Sequence, residues 1–592
     1  MRSSISVIVL AAFIAAALAA VSGLAFGADN LLPNPGFEQL DEHNWPVGWS
    51  IYNWGPEGSE GTVVLDSTVA HSGKSSVAGV NADGAARMGV YTHVPLKAGS
   101  YELSFWAKAE EGKTGFVRCY LGTAYSRQFP VADKWTKITY INTLLDGIDK
   151  TEINVQNSSG TPGRIWFDDI SLVPTKTRAV ELVPDPRPVA KQPKLLYFDA
   201  NLMYWADHAA EWKARGFSGA FISGVFSDVH SDVWAADKDP KTRGEDDKLL
   251  QECKAANAKC RKAGIDSNVL KVAFYQDLPD PFDDVEYGKI ATNFREAARF
   301  ARMADFPCMA IDTEYTAYQF DPGWKGYDLK KHTADEYGAK WREQWRAIIA
   351  GVVREYPSVD LLVLPEGSVY YGRYWDDMFA GMIDALIAAK HKNGLHLFCE
   401  GSYQNRSPVG LQDVAEGVKE TTVSLLPPRG AEVPRGAGVS PANAVAGETP
   451  APRGVVSPRD WFKANGDVAL GLWPLGYYRA INDANGKFLG WSGRKELFGD
   501  KIVGSYADKG PNYTLGEFRI QCAAAREYTG KYFWIYGHGS AWWQMTPEED
   551  ARYKKESLQG YPSANYLLPT VPDISEFYKI AASRQVLRFT GK

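Results

Sequence analysis

The feature that most constrains the fold is an alternation of apolar runs and amphipathic stretches that starts at Pro193 and continues to the end of the chain. Short apolar runs bounded by turn residues are typical of buried parallel strands, and longer amphipathic stretches are typical of helices. The predicted strands are 194–202, 217–223, 265–274, 308–315, 360–367, 394–401, 468–475 and 531–538. The predicted helices include 246–264, 285–305, 334–356, 374–392, 513–529 and 573–585. Eight strands with interleaved helices predict an α/β domain, a (β/α)8 TIM barrel, over residues 193–592.

An open, doubly wound sheet is the competing arrangement for the same elements. Such sheets often bind a dinucleotide at a G-x-G-x-x-G turn after the first strand. No such turn follows residues 194–202, so the sequence favours the barrel.

The region before the barrel has a different texture, which makes the chain multidomain. Residues 29–174 consist of short runs that alternate polar and apolar side chains, separated by Gly, Asn and Asp, and this pattern predicts an all-β sandwich. Residues 175–192 contain three prolines and no periodic pattern, so we expect a semi-stiff linker. Residues 427–458 are rich in Pro, Gly and Ala and repeat Pro-Arg-Gly, which predicts a disordered insertion in the barrel.

The N-terminal residues and the net charge indicate the compartment and the class of partner to expect. Residues 1–27 combine Arg2, the apolar run Ile5–Val21 and a small-residue cleavage site at Ala25–Gly27, as expected for a signal peptide. The alternative is an uncleaved N-terminal anchor, and no later stretch is apolar and long enough to span a membrane. The net charge is −6 with no basic block, which argues against a nucleic-acid partner. We therefore expect a secreted, periplasmic or cell-surface protein.

A series of motifs in the first domain carries a family resemblance. These are Leu31–Gln39 (LLPNPGFEQ), the tryptophans Trp45, Trp49 and Trp54, His71–Ser75 (HSGKS) and Ile165–Val173 (IWFDDISLV). Together they resemble the CenC-type carbohydrate-binding modules, families 4 and 9, over residues 30–174. The resemblance implies a jelly-roll sandwich whose two chain ends meet.

The resemblance also implies two kinds of site in this domain. Modules of this type commonly hold a structural calcium ion where the ends meet, which places Glu38 and one of Asp168 or Asp169 there as ligands. The alternative is that these acids only accept hydrogen bonds from backbone donors. The resemblance further offers Trp45, Trp49 and Trp54 as a flat platform for sugar rings, although they could equally be core residues or the domain a spacer.

Acids lie at the ends of three consecutive predicted strands of the barrel. Asp312 and Glu314 lie at the end of the fourth strand, Glu366 at the end of the fifth and Glu400 at the end of the sixth. Active sites of (β/α)8 barrels lie at the carboxyl ends of the strands, and a buried carboxylate is costly without a purpose. Further polar and aromatic candidates for binding a substrate at the same end are Asp199, Trp324, Tyr403, Trp473, Trp491 and His538.

Convergent carboxylates in an aromatic-lined mouth are what glycoside hydrolysis requires. The barrel therefore resembles the catalytic domain of a glycoside hydrolase, acting on a polysaccharide or oligosaccharide without a cofactor. In this hypothesis Glu314 is the general acid, Glu400 is the nucleophile or base with Glu366 as the alternative, and Asp312 positions Glu314 or adjusts its pKa. The predicted seventh strand has no acid, which departs from the largest clan of barrel glycosidases.

Other interpretations of the same acids remain open. They could bind a divalent cation, or pair with Lys and Arg as structural ions. A non-catalytic surface protein that binds carbohydrate with a degenerate barrel is the alternative function. Neither H-E-x-x-H nor G-x-S-x-G occurs, so zinc-dependent and serine-dependent hydrolases lack their motifs.

The segment 477–511 is long for a barrel loop. Asn485-Gly486 predicts a hairpin within it. We expect the segment to fold over the strand ends and to deliver Trp491 to the substrate cleft; the alternative is a surface flap with Trp491 packed inward.

Overall fold

The computed structural model of the chain describes most of both predicted domains. The described residues are 30–54, 61–81, 86–145, 147–158, 163–176, 179–225, 244–274, 277–320, 327–366, 373–427, 456–475, 479–482, 488–492, 502–504, 513–537, 542–559 and 574–590. The predicted signal peptide and residues 428–455 of the predicted insertion lie outside them. Within this part of the chain, no helix is long and apolar enough to cross a membrane.

The first domain is an antiparallel β-sandwich, as predicted. Its strands are β1 (Ser50–Trp54), β2 (Gly61–Asp66), β3 (Ser76–Asn81), β4 (Arg87–Leu96), β5 (Gly99–Ala109), β6 (Gly115–Leu121), β7 (Ala124–Tyr125), β8 (Phe129–Val131), β9 (Thr136–Leu144), β10 (Ile148–Asn157) and β11 (Gly163–Thr175). One sheet, here called the front sheet, has the order β1-β4-β10-β6-β7, with β8 beside β6. The back sheet has the order β2-β3-β11-β5-β9. The inward residues of both sheets, such as Val90, Leu103 and Phe167, form the core.

The second domain is a closed parallel barrel, which excludes the open sheet. Its strands are β13 (Lys194–Phe198), β14 (Phe217–Ile222), β15 (Val269–Ala273), β16 (Cys308–Asp312), β17 (Asp360–Leu364), β18 (Leu395–Cys399), β19 (Gly466–Leu472) and β23 (Tyr532–Tyr536). They close in that order, with β23 returning to β13. Each observed strand overlaps one predicted strand, because strands covered on both faces are continuous apolar runs.

Helices cover the outside of the barrel. They are α1 (Leu202–Asp207), α2 (Ala209–Ala214), α3 (Lys248–Lys262), α4 (Asp284–Met303), α5 (Ala334–Glu355), α6 (Arg373–Ala388), α7 (Pro408–Leu425), α8 (Pro458–Asn465), α9 (Leu515–Tyr528), α10 (Pro547–Glu556) and α11 (Ile574–Ala582). Their starts follow local chemistry: the side chains of Asp247, Thr333 and Thr514, for example, accept hydrogen bonds from first-turn backbone N–H groups.

The expected linker is partly regular structure. Ala179–Pro184 forms strand β12, which pairs antiparallel with β24 (Gln585–Thr590) at the end of the chain. The expectation of an irregular linker is therefore wrong for this segment. Val180 and Leu182 pack against the barrel core. Strand β12 pairs with a strand about 400 residues away in the sequence, so the residues around β12 carry no local signal of this pairing.

The long segment after β19 contains a small sheet. β20 (Arg479–Asn482) pairs antiparallel with β21 (Phe488–Ser492), and β22 (Ile502–Gly504) pairs with β21. This pairing confirms the two arms of the predicted hairpin. The turn at 483–487 and the side chain of Trp491 lie outside the described residues, so the delivery of Trp491 to a cleft stays a prediction.

Candidate active site

The predicted acids meet at one rim of the barrel. Asp312 ends β16, Glu366 follows β17 and Glu400 follows β18, and these three strands are neighbours in the sheet. Glu314 starts a short 3-10 turn immediately after β16. Because parallel strands carry their carboxyl ends to the same edge, all four carboxyl groups lie at the end where barrel enzymes place their sites.

Asp312 links Glu314 to a buried lysine. Its Oδ2 accepts a hydrogen bond from Lys271 Nζ at 2.9 Å, and both side chains are buried. Its Oδ1 accepts a hydrogen bond from the backbone N–H of Glu314 at 3.0 Å. Lys271 comes from β15, so one carboxylate connects two strands and fixes the start of the turn that carries Glu314.

Glu366 is engaged at both carboxylate oxygens. Oε2 accepts a hydrogen bond from the backbone N–H of Glu400 at 2.8 Å. Oε1 accepts one from the N–H of Gly401 at 2.8 Å and one from the Cys399 thiol at 3.1 Å. These contacts hold the chain where it leaves β18 and so position Glu400; the alternative role of Glu366 as nucleophile or base stays a prediction.

Glu314 and Glu400 are the two accessible members of the cluster. Glu314 is exposed and Glu400 half-buried. Desolvation of its carboxyl group, and then the charge of Asp312, raise the pKa of Glu314 to about 7. Burial, followed by the charges of Glu314 and Glu366, raises the pKa of Glu400 well above its ordinary value. Both groups therefore favour their protonated forms more than a free glutamate does.

An aromatic wall stands beside the acids. The rings of Tyr403 and Tyr536 stack with centroids 5.1 Å apart, and the Trp473 ring lies 5.3 Å from that of Tyr536. The Tyr403 hydroxyl is buried and has no hydrogen-bond partner among the described residues. Burial, and then the charge of Glu400, raise the pKa of Tyr403. Tyr403 and Trp473, both predicted to bind substrate, therefore lie on one wall of the acid site.

Of the other residues predicted to bind substrate, Asp199 lies within the described residues. Asp199 is half-buried just after β13. Desolvation raises its pKa, and the charge of Lys271 opposes the shift. Trp324 and His538 lie outside the described residues.

The three acids predicted to bind calcium anchor a loop of the first domain. Glu38 Oε1 accepts hydrogen bonds from the backbone N–H groups of Lys74 and Ser75 at 2.7 and 3.0 Å. Asp168 Oδ2 accepts one from the N–H of His71 at 2.7 Å, and Asp169 Oδ2 lies 2.6 Å from His71 Nδ1. Within the described ranges, no three His, Cys, Asp or Glu side chains form a possible metal site. The geometry fits loop anchoring, and calcium binding stays a prediction.

The predicted tryptophan platform does not form as expected. Trp49 is 4% exposed and belongs to the core, with Nε1 donating to the Pro33 carbonyl at 3.0 Å. Its assignment to sugar binding is wrong, because its ring fills the space beside Phe37. Trp45 is half-buried, and its Nε1 donates to the Trp49 carbonyl. Only Trp54, which is 53% exposed and lies under the Arg87 guanidinium, offers a free surface.

A second candidate surface was missed by the sequence reasoning. The strand register places Tyr52, Arg118, Tyr120, Tyr125, Asn154 and Gln156 on the outer face of the front sheet, here called the tyrosine face. Both amide atoms of Gln156 and Oδ1 of Asn154 are buried without a hydrogen-bond partner among the described residues. The alternation of Arg118 and Tyr120 in β6, and of Asn154 and Gln156 in β10, was the available signal.

Three comparisons with known proteins bear on these sites. A family model described as a carbohydrate binding domain matches residues 29–161, which confirms the resemblance. No curated protein matches the chain.

Solved structures show weak overall likeness. The CBM22-1–GH10 modules of endo-1,4-beta-D-xylanase 10B from Clostridium thermocellum are 10% identical, with 93% of this chain and 96% of that chain covered and a TM-score of 0.31. The CBM22-1 xylan-binding domain of Paenibacillus barcinonensis Xyn10C is 17% identical, with 25% and 96% covered and a TM-score of 0.20. At these scores the likenesses carry no argument. By its family match and its topology, the chain consists of a carbohydrate-binding module followed by an eight-stranded parallel barrel.

Proposed function

We propose that the barrel is a glycoside hydrolase and that Glu314 and Glu400 are its catalytic pair. The observation that carries the proposal is the convergence of two accessible carboxyl groups with raised pKa values at the carboxyl ends of β16 and β18. Glycoside hydrolysis needs one carboxylic acid that keeps its proton at working pH and one carboxylate that ionises. The wall of Tyr403, Trp473 and Tyr536 gives a sugar ring an apolar face to pack against.

The surroundings assign a role to each member of the pair. Burial and the charges of Glu314, Glu366 and Asp312 all disfavour the ionised form of Glu400, and we therefore assign the shared proton to Glu400. In the reaction Glu400 gives this proton to the glycosidic oxygen as the bond to the anomeric carbon breaks. Glu314, ionised, attacks that carbon or takes a proton from the attacking water. This reverses the roles expected from the sequence.

Single amide substitutions test both the activity and the roles. Glu314→Gln and Glu400→Gln are compared with wild type on a panel of polysaccharides and on aryl glycosides with a good leaving group. Glu343→Gln, an exposed glutamate on α5, is the control. Removal of a general acid costs about 10²–10⁴-fold on a natural substrate and much less when the leaving group needs no proton. We expect Glu400→Gln to retain activity only on the aryl glycoside and Glu314→Gln to lose both. The opposite pattern would restore the original assignment, and full activity of both variants would refute the proposal.

We propose that the tyrosine face is where the module binds carbohydrate. Both amide atoms of Gln156 and Oδ1 of Asn154, which have no hydrogen-bond partner in the described part of the chain, lie on this face beside tyrosine rings and an arginine, the combination that sugar hydroxyls and ring faces require. Gln156→Leu should weaken retention on an insoluble polysaccharide, while His43→Ala, at an exposed position on the opening loop, should not. We also propose that the protein is exported, which fits a substrate of polysaccharide size. Detection of the mature protein outside the cytoplasm would test this proposal.

A further inference from the structure

The module is hydrogen-bonded to the loop that follows Glu400. The backbone N–H of Arg406 donates to the Thr123 carbonyl at 2.7 Å. The backbone N–H of Tyr125 donates to Asn405 Oδ1 at 2.9 Å, and Asn405 is completely buried. Asn405 follows Glu400 by five residues in the sequence. The short edge strand β7 of the front sheet is therefore attached directly to the catalytic rim of the barrel.

A second set of contacts fixes the module along α7. Arg127 Nη1 donates to Glu420 Oε2 at 2.7 Å, and the Arg127 backbone N–H donates to Asp413. The approach is close: a Cβ atom on Gly410 would lie 2.5 Å from Ala124 Cβ, and one on Gly417 would lie 2.4 Å from Arg127 Cβ. Gly410, Asp413, Gly417 and Glu420 recur at helical spacing on one face of α7. The two domains are thus packed together and not merely tethered.

Arg406 joins the tyrosine face to the barrel. The carbonyl that accepts the Arg406 N–H belongs to Thr123, three residues after Tyr120 in the sequence. Burial raises the pKa of Tyr120 to about 12, and the positive charge of Arg406 opposes this shift. The Tyr120 ring lies 4.6 Å from that of Tyr125, at the edge of the front sheet nearest the barrel. The loop after Glu400 therefore contacts the module at Thr123 and Tyr125, next to the tyrosine face.

The dimensions suit one extended ligand. Five residues of chain span at most roughly 18 Å, so Asn405, whose side chain accepts a hydrogen bond from β7, lies within that distance of Glu400. The front sheet extends from β7 to β1 across four strand spacings, roughly 19 Å. We propose that a single polysaccharide chain is held by both domains at once, running from the acid site past Arg406 and across the tyrosine face. The inference rests on the proposed function of the acid site and names its substrate as a long chain and not a short glycoside.

Substitutions that separate the module from α7, here called undocking variants, test the proposal. In the full-length protein, Arg127→Glu places a negative charge against Asp413 and Glu420, while each domain keeps its own core. Gly417→Ala undocks by a steric route and favours the helix itself. Lys137→Glu, an exposed charge reversal on β9, is the control. Circular dichroism and melting verify that every variant is folded.

The readout is the dependence on chain length. The probes are xylan, mixed-linkage β-glucan, galactan and mannan, with the trisaccharide of each and an aryl glycoside. We expect both undocking variants to lower kcat/KM on the polysaccharide that wild type cleaves by at least about tenfold, with the short substrates unaffected, because two linked sites raise affinity only for a ligand that reaches both. Equal losses on long and short substrates, or no loss on either, would overturn the proposal.

Binding measurements distinguish a failure of this inference from a failure of the proposed hydrolase activity. If wild type cleaves none of the probes, the hydrolase proposal fails, but titration calorimetry with the same polysaccharides and trisaccharides still tests the span. Trp54→Ala, at the far β1 edge, should weaken binding of the polysaccharide and leave trisaccharide binding at the acid site unchanged. Identical affinities of wild type and Arg127→Glu for a polysaccharide that binds would overturn the spanning arrangement.

Discussion

Single charged residues set the protonation of the acid pair. Lys271 and Asp312 form a buried ion pair, and the Asp312 charge is, after desolvation of the carboxyl group, the main factor that raises the pKa of Glu314. Sequence reasoning identified all four strand-end acids, because a carboxylate that ends an apolar strand is visible in the chain. It could not sort them, because Lys271 and the backbone donors that engage Glu366 come from other strands.

Asp312→Asn should move the pH profile in a known direction. In the proposed mechanism Glu314 must be ionised to act, so we expect activity to be lost as the pH falls through about 7, the pKa of this group. Removal of the Asp312 charge lowers that pKa, and the freed charge of Lys271 lowers it further. We expect the acidic limb of the kcat/KM profile to shift to lower pH, with Asp328→Asn on the surface as the control. A shift of the alkaline limb instead would identify Glu314 as the acid, and an unmoved profile would contradict the electrostatic account.

At the scale of elements, the turn out of β18 depends on Glu366. Its carboxylate accepts the N–H groups of Glu400 and Gly401, whereas an amide has one acceptor oxygen and would turn its NH₂ toward the other donor. Glu366→Gln should therefore leave a buried donor unpaired, at a cost of about 1–3 kcal/mol in the free energy of unfolding.

The same substitution should affect catalysis through position. A displacement of Glu400 by about 1 Å can cost up to about 100-fold in rate. We expect kcat to fall with little change in KM, measured on a short aryl glycoside. Cys399→Ala removes only the thiol donor and keeps both backbone donors, so it should stay close to wild type. A Glu366→Gln variant with wild-type kcat and lowered melting temperature would show that the residue is structural only.

Elements were predictable to the extent that their signal is local. All eight barrel strands were found because each is a continuous apolar run, and the sandwich because its strands alternate. Strand β12 was missed because its partner β24 is at the other end of the chain. Trp49 was assigned wrongly for a related reason. A tryptophan close to other tryptophans in the sequence resembles part of a sugar-binding platform, and only the folded structure shows which side of the sandwich its ring occupies.

For the whole molecule, the β12–β24 pair joins the entrance of the barrel domain to its end. Leu587 lies opposite Leu182 in this ladder, is 3% exposed and belongs to the barrel core. Leu587→Ala removes buried methyl groups between the ladder and the barrel, which typically costs about 2–5 kcal/mol. Because β12 and β24 pack on the barrel, the loss should appear in the barrel's calorimetric transition, with the sandwich transition unchanged. Arg588→Ala, on the exposed side of the same strand, should alter stability by no more than about 0.5 kcal/mol. If both transitions fall together in Leu587→Ala, the ladder stabilises the two domains as one cooperative unit, and the docking along α7, not the strand pair, sets how the chain unfolds.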